Sequence, residues 1–178
     1  MPPLEVVQSY LDALLDTVTP SEPETVVVEA PPAIDDGLPV YVLAAGGLTL
    51  ALPQAAVAEV LSMPGDADPL PGPLAVGLAI HDEFPLWLAD LAAMVLPAAR
   101  HAVLPPAAER LTHALRLRGS EWALCVEAAP EKLVLKPDEI QPRGAGSTRP
   151  WLAGTVLARG LAVLDVAGLN ALLAAANP

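Results

Sequence analysis

Apolar and polar positions follow a helical period at the start of the chain. Val7, Tyr10, Leu11 and Leu14 fall at positions i, i+3, i+4 and i+7, and polar or acidic residues occupy the opposite face. This pattern predicts an amphipathic helix over residues 1–16. A helix of about 12 residues is marginal alone in water, so we expect it to dock on its own domain, on a second copy or on another protein.

The next segment, residues 17–37, has no such period. Four prolines, Pro20, Pro23, Pro31 and Pro32, lie among acidic residues, which favours an extended and mobile linker. A tether of this kind is of little use to a helix that packs on its own domain. The linker therefore favours a partner outside the chain for the N-terminal helix.

Residues 38–178 have the short apolar runs and frequent turns of a β-rich domain. Runs at 39–52 and 111–126 are each interrupted by a glycine-containing turn, which predicts two hairpins. The other predicted elements are a helix over 53–61, strands near 74–80, 84–88, 131–135, 151–157 and 161–164, and helices over 90–95 and 166–175 that begin at Asp90 and Asp165. The order hairpin, short helix, strand pair, Asp and helix occurs twice. It predicts a mainly β fold of two small barrels in tandem, with short helices and a C-terminal helix packed across the barrels.

The charge of the chain narrows the class of partner. The formal net charge is −12, and residues 1–36 contribute −8 of it because they contain eight acidic residues and no Lys or Arg. Such a chain repels phosphate backbones and anionic lipid, so a protein is the expected partner. The single cysteine, Cys125, excludes an intramolecular disulfide, and the first residues resemble no signal peptide, so we expect a cytoplasmic protein.

The residues that could carry catalysis form no recognisable motif. His81, His101 and His113 lack metal-ligand spacing with one another, with Cys125 or with a paired acid. Cys125 lies in an apolar strand and is interpreted as a buried structural thiol. Asp90 and Asp165 are interpreted as helix caps. We therefore predict no enzymatic activity, no cofactor and no metal.

The order of segments resembles the CheW family. The resemblance is carried by LALPQAAVAEVLSMPG (50–65), PLPGPLAVGLAI (69–80), LADL (88–91), APEKLVLKPDEIQP (129–142) and WLAGTVLARGLAVLDVAGLNALL (151–173). It implies a tandem of two SH3-like β-barrels and a non-catalytic chemotaxis adaptor. The implied partners are the regulatory domain of a CheA-type histidine kinase and chemoreceptor tips.

One turn departs from the family pattern. Where CheW proteins usually carry Asn-Leu-Arg-Gly, in a turn of their receptor-facing surface, this chain has Ile80-His81-Asp82-Glu83. The tryptophan at 151, the N-terminal helix and the acidic linker resemble ParP proteins, relatives with a C-terminal CheW-like domain that organise polar arrays. This resemblance implies a location at the cell pole and a polar-localisation partner for Tyr10, Leu11 and Leu14.

Three further residues are candidates for partner contact. Trp151, preceded by Arg149, could be a contact anchor or could plug the end of a barrel. Glu59 could receive an arginine of a partner or could be a solvated charge at a helix end.

Two other functions stay open. One is a plain CheW coupling protein for chemotaxis or twitching motility. The other is a β-barrel enzyme or small-ligand binder that shares only the layout of the fold, since fold alone does not assign function.

Overall fold

The computed structural model describes residues 37–176, except residues 71, 73 and 145. The predicted helix over 1–16 and the predicted linker over 17–37 therefore lie outside the described residues, apart from Gly37. Within the described part of the chain, no helix combines the length and the apolar character needed to cross a membrane.

The described residues form a mainly β domain, as the sequence predicts, with four short α-helices, of which Ala98–His101 and Ala107–Arg110 are not predicted. The strands are β1 (Leu38–Ala45), β2 (Leu48–Pro53), β3 (Val57–Ser62), β4 (Asp68–Pro69), β5 (Ala75–His81), β6 (Phe84–Asp90), β7 (His113–Leu117), β8 (Trp122–Val126), β9 (Glu131–Leu135), β10 (Gln141–Pro142), β11 (Leu152–Val156) and β12 (Leu161–Leu164). The helices are α1 (Leu91–Val95), α2 (Ala98–His101), α3 (Ala107–Arg110) and α4 (Val166–Ala175).

The strands form two six-stranded sheets of the same topology. The first sheet has the order β10-β11-β12-β2-β1-β9, and the second, written in the matching direction, has the order β4-β5-β6-β8-β7-β3. In each sheet the second strand of a hairpin runs parallel to the last strand of a strand pair: β2 pairs with β12, and β8 pairs with β6. All other neighbouring strands are antiparallel.

The two sheets exchange the hairpins of the sequence repeat. The first sheet combines the N-terminal hairpin β1–β2 with strands β9–β12, and the second combines the hairpin β7–β8 with strands β3–β6. The mainly β class with two sheets is confirmed, but each sheet draws its strands from both repeats. Local patterns predict the hairpins well, whereas the strand that a hairpin joins is decided by non-local packing.

The core has three parts. One cluster fills the second sheet and includes Ala79, Leu88 and Cys125. A second cluster fills the first sheet and includes Val40 and Val163. The largest cluster lies between the sheets and under the helices, and it combines Leu43, Leu50 and Leu52 with Leu115, Leu124, Leu91, Leu169 and Trp122. Because successive residues of a strand point to opposite faces, β2 and β8 contribute to the cluster between the sheets with one face and to the interior of their own sheet with the other.

The predicted helix over 53–61 is wrong. Gln54–Ala56 form one 3-10 turn after Pro53, and the chain then extends into β3, which pairs with β7. The β-branched residues Val57 and Val60 suit a pleated strand better than a helix. A short apolar run cannot be assigned to helix or strand by its period alone.

The predicted helix caps at Asp90 and Asp165 are confirmed. The Asp90 carboxylate accepts hydrogen bonds from the backbone N–H groups of Ala92 and Ala93, and the Asp165 carboxylate accepts one from Gly168 at 3.1 Å. These bonds satisfy amides that the first turn of a helix leaves unpaired. Both aspartates occupy the same place in the repeat, where a strand meets a helix: Asp90 is the last residue of β6, and Asp165 directly follows β12.

Gly168 allows α4 to approach the loop that carries Trp151. A Cβ atom at position 168 would lie 1.9 Å from the backbone oxygen of Pro150, far inside van der Waals contact. We predict that Gly168→Ala lowers the free energy of unfolding by about 1–3 kcal/mol, because the backbone of the loop must move. Urea denaturation followed by circular dichroism measures this change.

The sign of that change is informative. In a helix without a close neighbour, glycine to alanine stabilises by about 1 kcal/mol, so stabilisation by Gly168→Ala would contradict the close approach. Gly144→Ala is the matched control, because a Cβ atom there meets no atom within 4 Å. We expect it to change stability by no more than about 0.5 kcal/mol.

Candidate functional site

A cavity of about 660 Å³ opens beside the turn between β1 and β2. It is lined by Gly46–Leu48 of this turn, by residues between Val95 and Pro105, and by Arg110, Glu127, Arg149 and Trp151. We call it the arginine cavity, because Arg100 of α2 is also in its wall. Its lining combines aliphatic side chains with guanidinium groups, a composition suited to a partner with both apolar and acidic groups.

Gly46 brings the hairpin turn close to the wall of the cavity. Its φ is +58°, and a Cβ atom at this position would lie 2.4 Å from the Cδ1 atom of Leu96. Only glycine adopts this left-handed backbone without steric cost. The backbone N–H of Gly46 donates to Glu127 Oε1 at 2.8 Å, which connects the first sheet to the residue that follows β8 in the second.

Arg110 joins this connection to a buried ion pair. Both terminal nitrogens of its guanidinium group donate hydrogen bonds to the Asp90 carboxylate: Nη1 donates to Oδ1 at 3.1 Å, and Nη2 donates to Oδ2. Nη1 also lies 3.4 Å from Glu127 Oε1. The side chains of Arg110 and Asp90 are each 9% exposed. No element is predicted over residues 96–110, so the sequence does not predict this group.

Trp151 is part of the core. It is 6% exposed and belongs to the cluster between the sheets, and its backbone oxygen accepts the N–H of Asp165 at 2.7 Å. The exposed Arg149 places its guanidinium carbon 6.0 Å from the centroid of the Trp151 ring, at the limit of a cation–π contact. Burial favours the barrel-plug alternative for Trp151, and contact of Trp151 or Arg149 with a partner stays a prediction.

Glu59 lies on β3 and not at the end of a helix as predicted. Its carboxylate oxygen Oε2 is 3.0 Å from Nε2 of His81, and the same nitrogen is 3.5 Å from Oδ2 of Asp82. The sequence did not indicate this group, because β3 and the β5–β6 turn approach each other only when the sheet curls. The three side chains are not deeply buried, and no contact to a partner is required to explain their arrangement.

Two grooves occupy equivalent places in the two sheets. The first groove, about 230 Å³, lies where the start of β2 meets the turn between β11 and β12, and Leu157 at its edge is 69% exposed. The second groove, about 220 Å³, lies where the start of β8 meets the turn between β5 and β6, and Phe84 at its edge is 67% exposed. We call these the end grooves. His81, the partner of Glu59, lines the second end groove.

The remaining candidates for chemistry have structural surroundings. Burial, with a smaller contribution from the nearby Asp90 charge, raises the pKa of the Cys125 thiol to about 12, so its thiolate form is scarce at neutral pH. His101 Nε2 lies 3.1 Å from the backbone oxygen of Leu96, and His113 Nδ1 lies 2.9 Å from Thr112 Oγ1. Tyr10, Leu11 and Leu14 lie outside the described residues.

Comparison with known proteins identifies the family. Residues 39–173 match the family model of the CheW-like domain. The crystal structure of the scaffolding protein TtCheW from Thermoanaerobacter tengcongensis is similar in fold, with a TM-score of 0.57 and 14% sequence identity over 72% of this chain and 89% of that chain. No curated protein sequence matches the chain, and neither match singles out ParP. Since the family model covers most of the sequence, this chain belongs to the CheW-like domain family.

Proposed function

We propose that this chain is a non-catalytic adaptor of a bacterial chemosensory array. It binds the CheW-like regulatory domain of a CheA-type histidine kinase, and chemoreceptor tips are its second class of partner. The proposal is supported by membership of the CheW-like domain family and by the likeness in fold to a protein described as a scaffold. It locates the protein in the cytoplasm, within an array at the cell pole.

The end grooves carry this proposal. They have equivalent positions in two sheets of the same topology, and each exposes a large apolar side chain at its edge, Leu157 or Phe84. A protein with two such surfaces can contact two neighbours at once without forming a closed dimer. This suits an adaptor that extends an array of related domains.

The surroundings of the ionisable side chains support a binding role. Asp90 and Arg110 are paired with each other, and Asp90 also caps α1. The raised pKa of Cys125 disfavours a nucleophilic thiolate. Packing and ion pairing, which also occur away from active sites, explain the surroundings of these three side chains.

We expect the full chain to bind the isolated regulatory domain of its cognate kinase with micromolar affinity in calorimetric titration. Phe84→Glu or Leu157→Glu should weaken that binding about 10-fold or more, because a carboxylate would be buried against an apolar contact. Both side chains are more than half exposed, so neither change should disturb the fold, which thermal unfolding verifies.

Val134→Glu is the matched control. Val134 is 51% exposed on β9 and lines neither end groove, so this substitution should leave the affinity unchanged. Equal binding by all three variants would exclude the end grooves as the kinase contact. Failure of the folded wild-type chain to bind would remove the kinase from the proposal.

The N-terminal segment distinguishes a ParP-like adaptor from a plain CheW coupling protein. A ParP-like role assigns Tyr10, Leu11 and Leu14 to a polar-localisation partner. Deletion of residues 1–20 should then disperse a fluorescently labelled protein from the cell pole while leaving kinase binding in solution unchanged. Polar foci that survive the deletion would favour the plain coupling protein.

A further inference from the structure

The arginine cavity is a positively charged site on a protein whose net charge is negative. The chain has nine Lys and Arg residues and a formal net charge of −12, yet Arg100, Arg110 and Arg149 all line this one cavity. Other arginines are engaged elsewhere: Arg118 donates to the backbone oxygens of Ala55 and Val57, and Arg159 lies 3.7 Å from the Glu139 carboxylate.

Two of the three arginines of the cavity keep their charge available. Arg110 is paired with Asp90, and Glu127 Oε1 already receives Arg110 and the N–H of Gly46. Within the described part of the chain, no carboxylate oxygen lies within 4.0 Å of the guanidinium groups of Arg100 or Arg149. Both residues are exposed. The cavity therefore presents two guanidinium groups beside Arg110, which is shared by the carboxylates of Asp90 and Glu127. The three arginines and two carboxylates together carry a formal charge of +1, so the cavity stays cationic.

Arg149 is positioned against an aromatic face. Its guanidinium carbon lies over the buried Trp151 ring, 6.0 Å from the ring centroid. At this limit of a cation–π contact the N–H groups of Arg149 stay free for a carboxylate. Trp151 cannot move readily, because its backbone is hydrogen bonded to Asp165 and its ring is packed in the core.

Apolar side chains complete the cavity. Leu48 is 38% exposed and Val103 is 73% exposed, and both line the cavity together with Leu96 and Leu104. A small free carboxylate would leave these aliphatic surfaces in water, whereas a protein segment can cover them.

We propose that the arginine cavity binds an acidic side chain, flanked by aliphatic side chains, on a segment of a partner protein. This inference deepens the partner-binding role predicted for Arg149 and Trp151 and rests on the proposed adaptor function, because it assigns a partner to a second surface besides the end grooves. The acidic group pairs with Arg100 and Arg149, and the aliphatic groups cover Leu48 and Val103.

Two model peptides test this proposal on the full chain. One is an acetylated and amidated Ser-Leu-Leu-Glu-Leu-Leu-Ser, and the other carries glutamine in place of glutamate. The readouts are the indole N–H resonance of Trp151 and the Nε–H resonances of Arg100 and Arg149 in NMR titrations. We expect the glutamate peptide to bind about 5-fold more tightly than the glutamine peptide, the size of one exposed ion pair.

Arginine variants test whether the cavity causes the tighter binding of the glutamate peptide. The double substitution Arg100→Gln, Arg149→Gln should abolish the difference between the peptides, while Arg159→Gln, outside the cavity, should preserve it. Three results would overturn the proposal: no binding of either peptide, equal binding of both by the wild type, or a preference that survives the double substitution. Sodium acetate that shifts the same resonances at the same concentration would assign the cavity to small carboxylates instead. Because no kinase is present, failure here is separate from failure of kinase binding.

Discussion

Neither half of the CheW-like domain should fold when it is expressed alone. Fragments 1–104 and 105–178 are each expected to lack a cooperative thermal transition, and an equimolar mixture is expected to recover the circular dichroism spectrum and the transition of the intact chain. The cut lies between α2 and α3, after the first sequence repeat and before the second hairpin.

The exchange of hairpins between the sheets is the reason. In fragment 1–104, β3 loses its one partner β7, β6 loses β8, and the hairpin β1–β2 loses both β9 and β12. What remains is the two-stranded hairpin β1–β2, the unpaired β3, and a β4–β5–β6 meander whose outer strand β4 has only two residues. A hairpin alone is marginally stable at best in water, and the meander has lost both its neighbour β8 and the core against which its apolar face packs. The largest core cluster is also divided, since Leu50 and Leu52 lie in one fragment and Leu115 and Leu124 in the other.

Two tandem barrels formed from consecutive strands would behave in the opposite way. In that case at least one fragment would unfold cooperatively by itself, and mixing would add nothing. An intact chain that is cleaved at an inserted protease site after folding is the control, and its two pieces should remain associated on size exclusion. Dissociation of the cleaved pieces into two folded halves would contradict the exchanged topology.

The second large effect is expected at Arg110. Arg110→Met should lower the free energy of unfolding by about 3–5 kcal/mol, because it leaves the carboxylate of Asp90 buried without its counter-charge. The Arg110 and Asp90 side chains are each 9% exposed, so solvent at the cavity wall replaces the lost counter-charge only in part. Urea denaturation of the full chain measures the loss, and the slope with denaturant shows whether the native state stays compact.

Two variants distinguish the cost of an unpaired buried carboxylate from the cost of removing an arginine at any position. Arg159→Met removes an exposed pair with Glu139, and we expect it to cost less than about 1 kcal/mol. The combination Arg110→Met, Asp90→Asn should regain part of the loss, since asparagine still caps α1 but carries no charge. An Arg110→Met variant as stable as Arg159→Met would contradict a structural role for the buried pair.

Local features of the fold could be predicted from the sequence, and non-local ones could not. The two hairpins follow from alternation and glycine turns, and the caps at Asp90 and Asp165 follow from their place before apolar helices. The helix predicted over 53–61 failed because the pairing of β3 with β7 decides that segment. The exchange of hairpins depends on contacts between strands that are distant in sequence, and the local periodicity of apolar residues does not predict such contacts.

The interaction surfaces show the same division. Cys125 was expected to be a buried thiol from its place in an apolar strand, and it is buried in the second sheet. The neighbours of Glu59 and the arginines around Trp151 come from elements far apart in sequence. Such groupings become visible only when the fold brings the elements together.

The central claim is that this chain links a kinase to receptors without catalysing a reaction. Its most direct test is sedimentation of a CheA-type kinase with receptor-bearing membranes that lack any other coupling protein. We expect addition of the full chain to increase the sedimented kinase, and Phe84→Glu or Leu157→Glu to reduce that increase while Val134→Glu does not. If the folded chain leaves the amount of sedimented kinase unchanged, the protein is not an adaptor between these partners.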